Sequence, residues 1–246
     1  MNNPLISKYS ALTKLTPKEK NTLLQLQSKR EIIPAGTEII RAGQNHKSMY
    51  IIEEGWAAHY KLLADGRQQI LNISLPGDFI CLDATVLKTA EHSINAITDL
   101  VVSRLSPEKI LDIFSHSPRL AAILCWSSVH DGAILAEQIV RVGRRNAYES
   151  IAHLLLEFLR RLDIIGMTNN NTFHFPLTQE LLADTLGLTT VHVNRTIRRL
   201  RKDNLIEYSD NKMTILNLKK LRQVAGFDPI YLEQDALPFR NRIESG

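Results

Sequence analysis

Between residues 31 and 115, short apolar runs alternate with glycine-centred breaks. Glycines recur at 36, 43, 55, 66 and 77, and the runs between them fall over 48–53, 56–63, 68–75 and 94–105. In the second run Trp56, Ala58, Tyr60 and Leu62 occupy alternate positions, the period of a half-buried strand. Ala64-Asp65-Gly66-Arg67 and Pro76-Gly77-Asp78 read as turns. Short strands with evenly spaced turns predict an antiparallel sandwich or barrel. Before this region the chain reads as a polar lead followed by a short helix, for which Thr16, Pro17 and Glu19 form an N-terminal signal. After it, residues 117–142 predict one long helix. Leu120, Ile123, Leu124, Ser127, Ile134, Glu137 and Val140 approximate a seam repeat, so this helix is expected to pair two copies of the chain. Packing of that stripe on the helix's own barrel is the alternative.

The last third changes period. Residues 150–162 predict an apolar helix, a polar loop follows over 166–172, and two short helices then meet at Gly187. Thr178 is placed to cap the first of these and Thr189 the second, with Leu181, Leu182 and Leu186, then Val193, Ile197 and Leu200, facing inward. Thr190, Val191, Asn194, Arg195 and Arg198 remain on the outer side. Residues 205–208 and 213–216 predict a hairpin around Ser209-Asp210-Asn211-Lys212. A helix-turn-helix followed by a hairpin is a winged helix, whose second helix enters the DNA major groove by its N-terminal half. The competing explanation is an amphipathic helical hairpin with a solvated basic face. The glycine turn, both caps and the polar first turn of the second helix weigh against it. The tail, 227–246, carries little pattern and is expected to be irregular or weakly docked.

Charge adds to this picture. The chain of 246 residues has 30 Lys+Arg against 26 Asp+Glu, a formal net charge of +4. Residues 141–222 alone hold fourteen basic and eight acidic side chains, so the positive excess lies in the C-terminal part. That asymmetry fits a nucleic-acid-binding end joined to a near-neutral module. The two cysteines, Cys81 and Cys125, cannot build a disulfide framework or a four-cysteine site. The eight histidines show no metal-ligand spacing, and no phosphate loop or nucleophile elbow is present, so neither a metal site nor an enzyme is expected. With no signal-peptide pattern and no 18-residue apolar run, the chain is expected to be soluble, cytoplasmic and without a membrane partner.

The order of barrel, long helix and winged helix resembles the Crp/Fnr superfamily of bacterial transcription regulators. The resemblance covers residues 30–220. It rests on IIPAGTEIIRAGQ, EEGWAAHYKLLADGRQQIL and LPGDFI in the barrel and on LTQELLADTLGLTTVHVNRTIRRLRKDNLI in the DNA-binding part. It implies an α+β chain with a cyclic-nucleotide-binding-like β-roll over 1–116, a dimerisation helix over 117–142, a winged helix-turn-helix over 143–226 and a tail over 227–246. It also implies a homodimer on an inverted-repeat operator in double-stranded promoter DNA, with RNA polymerase as a partner. Arg195 takes the place of the family's guanine-reading arginine. Val191 stands where a glutamate is usual and can pack on a thymine methyl, while Asn194 can read adenine and His192 reach a phosphate. Thr178, Gln179, Thr189 and Thr190 are expected at phosphates, and Arg198 with them.

In the β-roll the same alignment places Cys81-Leu82, followed by Asp83, where nucleotide-binding members carry Gly-Glu, and His92-Ser93 where they carry Arg-Ser. Leucine accepts no hydrogen bond from a ribose, and histidine lacks the guanidinium fork. These five residues form the candidate effector pocket, and the effector is expected to be something other than cyclic AMP. No cysteine occurs among the first eighty residues and Asp83 lies where the haem-sensing branch uses histidine, so no iron–sulfur cluster or haem is expected. Two alternatives remain. The β-roll is only structural and the regulator constitutive, or the chain is a nucleotide-binding module acting on a protein partner.

Overall fold

The computed structural model describes residues 3–45 and 48–233. They form two compact units, one holding the chain up to His59 and Ile73–Gly132, the other Tyr60–Asn72 and Ala133–Leu232. The expectations for the tail beyond Glu233 lie outside the described residues.

The first unit opens with helix α1, Pro4–Leu12, where the sequence suggested only a polar lead. Asn3 caps it, accepting from Ile6 N at 3.1 Å, and Leu5, Tyr9 and Leu12 give it a buried stripe. Helix α2, Pro17–Leu26, begins with the anticipated signal. Thr16 Oγ1 accepts from Glu19 N and Glu19 Oε2 accepts from Thr16 N, a reciprocal capping box. Eight strands follow along the chain: β1 Arg30–Ile33, β2 Glu38–Ile40, β3 Met49–Glu54, β4 Ala57–Leu62, β5 Gln68–Ser74, β6 Phe79–Ile80, β7 Ser93–Ala96 and β8 Leu100–Leu105, of which residues 60–72, in β4 and β5, belong to the second unit. They make two four-stranded sheets, ordered β1-β8-β3-β6 and β2-β7-β4-β5. The strands and turns expected from the glycine spacing are therefore present, as the two antiparallel sheets of the β-roll that the resemblance implied.

Two details correct the sequence expectation. The run 94–105 is two strands, because the chain turns between them and Ile97 N donates to Trp56 O at 2.8 Å. The alternation in β4 fails, since Ala57 and Ala58 are both buried while Leu62 is 68% exposed. Small alanines fit where both faces of the strand are covered. Gly55 at the head of this strand has φ +91°, and a Cβ there would lie 2.3 Å from Asp99 O, so no other residue fits without moving backbone.

Inside the roll Ile40, Ile52, Ile80, Ile94, Leu100 and Val102 pack together. A second cluster joins α1 and α2 to Met49, Ile51 and Leu105 and to helices α3, Pro107–His116, and α4, Pro118–Gly143. Leu120, Ile123 and Leu124 lie in this cluster, and buried Ser127 shares a 2.8 Å hydrogen bond with Tyr9. Most of the predicted dimer seam is thus an intramolecular face. Ile134 is also buried, Glu137 is half-buried, and of the seven only Val140 is exposed. Lys8 and Asp78 form a buried ion pair at 2.5 Å, and Asp78 also accepts from Leu75 N.

The second unit is built on helix α5, Ala147–Ile164, which is buried along most of its length. Around it lie strand β9 Thr172–His174, helices α6 Gln179–Leu186 and α7 Thr190–Lys202, the hairpin β10 Ile206–Ser209 and β11 Lys212–Ile215, and helix α8 Leu218–Ala225. The hairpin turns through Asp210 and Asn211, both with positive φ, as a two-residue turn demands. Phe158, Phe173, Phe175 and Tyr208 pack edge-to-face beneath it.

A buried polar network ties α5 to its neighbours. Arg141 Nη2 donates to Glu157 Oε2 at 2.5 Å, and its Nη1 donates to Gln138 Oε1 at 2.5 Å. Tyr231 OH donates to the same Glu157 oxygen at 2.8 Å from a 3-10 turn, Pro229–Leu232. Leu232 is fully buried, so residues 227–232 are docked, which corrects the expectation of an irregular or weakly held tail for this stretch. His153 accepts at Nδ1 from Arg141 and points Nε2 at Glu137, 3.4 Å away. Burial and the nearby Arg141 and Arg145 cations push its imidazole down to about 3, so it is neutral.

Candidate nucleic-acid interface

The helix-turn-helix is held by local hydrogen bonds that its sequence encodes. Thr178 Oγ1 accepts from Leu181 N at 3.1 Å and Thr189 Oγ1 from His192 N at 3.2 Å, so both predicted caps are formed. Gly187 closes α6 in the left-handed region at φ 64°, and Ala183 O accepts from Gly187 N. Val193, Thr196 and Leu200 are the buried residues of α7, with Ile197 half-buried. Thr196 therefore joins the inward face that was expected to hold Ile197.

On the outer face, Gln179, Thr190, Val191, Asn194, Arg195 and Arg198 line one shallow concavity of about 500 Å³. Val191 is 77% exposed, and Arg195 and Arg198 are exposed. Neither arginine has an ion-pair partner among the described residues. Asp184, on α6, accepts from Gln68 Nε2 at 2.8 Å. Asn194 Nδ2 donates to Gln179 Oε1 at 3.0 Å. Of the remaining predicted contacts, Thr178 and Thr189 already serve as caps and His192 is half-buried. Arg199 faces elsewhere. Its guanidinium lies 4.6 Å from the Tyr148 ring centre and 3.9 Å from Asp203. Burial and the Asp203 carboxylate push the Tyr148 hydroxyl up to about 12, keeping it a donor to Asp203.

The five candidate effector residues are placed differently. Cys81 is a non-glycine residue in the left-handed region, φ 61°, which explains why glycine suits this place. Its side chain belongs to the roll's apolar core, and burial with the Asp83 carboxylate pushes the thiol up to about 12. A buried, protonated thiol is a poor nucleophile and a poor ligand. Leu82 packs on the helical cluster. Asp83 O accepts from Val86 N and Leu87 N in the 3-10 turn Leu82–Thr85. Ser93 Oγ accepts from Ala42 N at 3.0 Å. The His92 ring meets His59 Nδ1 at 2.8 Å, and His59 Nε2 meets Ser74 Oγ at 2.7 Å. His59 and Ser74 were not anticipated. His59 sits out of phase with the apolar positions of its strand, yet nothing in sequence spacing pairs it with a residue 33 positions away. Among the described residues no group of three or more His, Cys, Asp or Glu side chains could hold a metal ion. No described helix is long and apolar enough to cross a membrane.

Comparison with known proteins agrees with this geometry. Residues 149–224 match the Crp-like helix-turn-helix domain family and residues 30–117 the cyclic nucleotide-binding domain family. The transcriptional activatory protein AadR of Rhodopseudomonas palustris is 30% identical over 179 residues, covering 72% of this chain and 73% of the relative. The transcriptional activator protein FnrL of Cereibacter sphaeroides is 28% identical over 214 residues, covering 85% of each. The solved structure of FixK2 from Bradyrhizobium japonicum has the same fold, with a TM-score of 0.74 at 22% identity over 81% of this chain and 98% of that one. The chain belongs to the Crp/Fnr family and is a DNA-binding transcriptional regulator of that type.

Proposed function

We propose that two copies of the chain bind an inverted repeat in promoter DNA, with Arg195 of each copy reading a guanine. The carrying observation is the uncovered concavity on α7, with Arg195 exposed and unpaired at its edge. Arginine donates two hydrogen bonds to guanine O6 and N7, worth roughly 1–3 kcal/mol against the wrong base. Val191 beside it presents methyl groups suited to a thymine, and Asn194 an amide suited to adenine. The half-site therefore differs from one read by a glutamate at position 191. Gln179 and Thr190, the caps Thr178 and Thr189, His192 and Arg198 hold the phosphates. The Arg195→Ala variant tests this. Specific affinity falls about ten- to a hundredfold while nonspecific affinity is kept. A uniform loss on all sequences, with the salt slope lowered by about one, would mean that Arg195 touches only phosphate.

Pairing of the copies is supported by an exposed stripe on α4: Cys125, Val129, Gly132, Ala136 and Ile139, spaced four and three residues apart. Val129 is 72% and Ile139 67% exposed, and Leu135, Val140 and Val142 flank them. Such a repeat is a coiled-coil seam whose natural partner is the same helix of a second copy. The reading extends to RNA polymerase as the partner recruited at the promoter and to the cytoplasm as the compartment. It includes no catalytic role.

The β-roll's effector, in this reading, is not cyclic AMP. Leu82 offers no acceptor, Ser93 already serves Ala42 N, and His92 is engaged with His59. The chain's two cysteines do not make the four-thiolate set of an iron–sulfur cluster, and Asp83 is not a haem ligand of the family's type. Millimolar cyclic AMP leaves the melting temperature unchanged, and a rise of several degrees would overturn this part.

A further inference from the structure

We infer that Gln138 and Gln69 are positioning residues that fix the recognition helix for simultaneous contact with both half-sites; this rests on the inverted-repeat reading above. The last carbonyls of any helix lack partners within it. In α6, Ala183 O is met by the turn amides, but Asp184 O and Thr185 O are met by side chains from distant parts of the second unit. Gln69 Nε2 donates to Asp184 O at 3.0 Å and to Thr185 O at 3.2 Å. Gln138 Nε2, on α4, donates to Thr185 O at 2.5 Å and to Ile70 O at 3.3 Å. Next to this clamp, a Cβ on Gly187 would stand 3.3 Å from Val142 Cγ1, so the turn between the two helices lies against α4.

The clamp has one allowed orientation. Arg141 only donates, so Gln138 must turn its oxygen to Arg141 and its amide hydrogens to the two carbonyls. Gln138 is 5% exposed, so its side chain is shielded from bulk solvent. Arg141 in turn is fixed by Glu157. The end of α6, and with it the start of α7 three residues beyond Gly187, is thus referenced to the helix that carries the exposed stripe. The clamped state leaves Val191 and Arg195 uncovered, so it holds α7 ready for DNA and does not mask it. A dimer needs its recognition helices one turn of DNA apart, so a rotation of α6–α7 against α4 changes the one distance that matters.

The test uses the near-isosteric variants Gln138→Glu and Gln69→Glu in the full chain. Gln138→Glu keeps the acceptor for Arg141 and turns an oxygen toward two carbonyls; Gln69→Glu does the same at Asp184 O and Thr185 O. Affinity is measured by fluorescence anisotropy for an inverted-repeat duplex selected by the unaltered protein, and for a duplex carrying one half-site. The expected result is that each variant binds the single half-site as the unaltered protein does, while its added affinity for the full repeat falls roughly tenfold or more. Full-repeat affinity equal to the unaltered protein's in both variants overturns the inference. Loss of half-site binding in both also overturns it, because the glutamines would then hold the domain together and not its placement. Unaltered protein that binds the repeat no tighter than the half-site removes the inverted-repeat reading itself, and the inference with it.

Discussion

Replacing Glu157 by leucine removes the counter-charge of a guanidinium that is 1% exposed. Arg141 cannot shed its proton, so the variant leaves a buried cation with one neutral acceptor, Gln138 Oε1, and a 3.2 Å contact to His153. The Tyr231 hydroxyl loses its acceptor in the same step. Breaking one side of a buried ion pair costs about 3–5 kcal/mol. That is a large fraction of the 5–15 kcal/mol (roughly) that holds a domain folded. In the double variant Arg141→Met/Glu157→Leu neither charge of the pair is present, so that pair's desolvation penalty disappears along with its attraction, while Arg161, 3.7 Å from Glu157 Oε1, loses the same partner in the single and the double variant. Urea denaturation followed by far-ultraviolet circular dichroism measures the unaltered protein, the single variants Glu157→Leu and Arg141→Met, and the double variant. The Glu157→Leu transition shifts by about 3–5 kcal/mol, with a melting temperature lower on the order of 10 °C, and the double variant is more stable than Glu157→Leu alone. A single-variant cost under about 1 kcal/mol, or a double variant less stable than the sum of the singles, would refute the claim that this pair is a buried, mutually dependent unit.

Other outcomes follow from the same structure. His153 is neutral in the folded protein and titrates near 3, below the ordinary histidine value of 6.5, so the unfolded chain takes the proton first. Its contribution is complete above about pH 6.5 and is lost on the order of 1.4 kcal/mol per unit as the pH falls toward 3. Urea midpoints measured across that window should slope accordingly and flatten in His153→Met; equal slopes in both would contradict the buried neutral imidazole. Cys125 is exposed on α4 in line with Val129, whereas Cys81 is buried. Mild oxidation should therefore cross-link two copies through Cys125, and Val129→Glu with Ile139→Glu should give a monomer by sedimentation. A chain that stays monomeric before these changes would contradict the paired seam.

The residues show why some of this was legible in the sequence and some was not. The helix-turn-helix was readable because its determinants are local: Thr178 and Thr189 bond amides three residues on, and Gly187 supplies the left-handed turn within the same segment. The roll was readable from its glycines, since a turn also announces itself locally. Helix α4 was misread at one point because it carries two apolar stripes. Leu120, Ile123 and Leu124 face the chain's own core, while Cys125, Val129 and Ile139 face outward, and periodicity cannot say which stripe meets a partner. Helix α1 was missed because its buried stripe is three residues, Leu5, Tyr9 and Leu12, set among polar ones. The His59–His92 contact and the glutamine clamp were beyond reach for another reason: they join residues 33 and 116 positions apart, and the polar types involved are common on surfaces.

The central claim, sequence-specific binding by a two-fold dimer, is tested most directly by selecting duplexes from a random pool with the full chain and sequencing the survivors. The account predicts an inverted repeat with a guanine at the same place in each half and half-site centres one helical turn apart, about 34–36 Å. Enrichment of a lone half-site, or no enrichment over the starting pool, would contradict it.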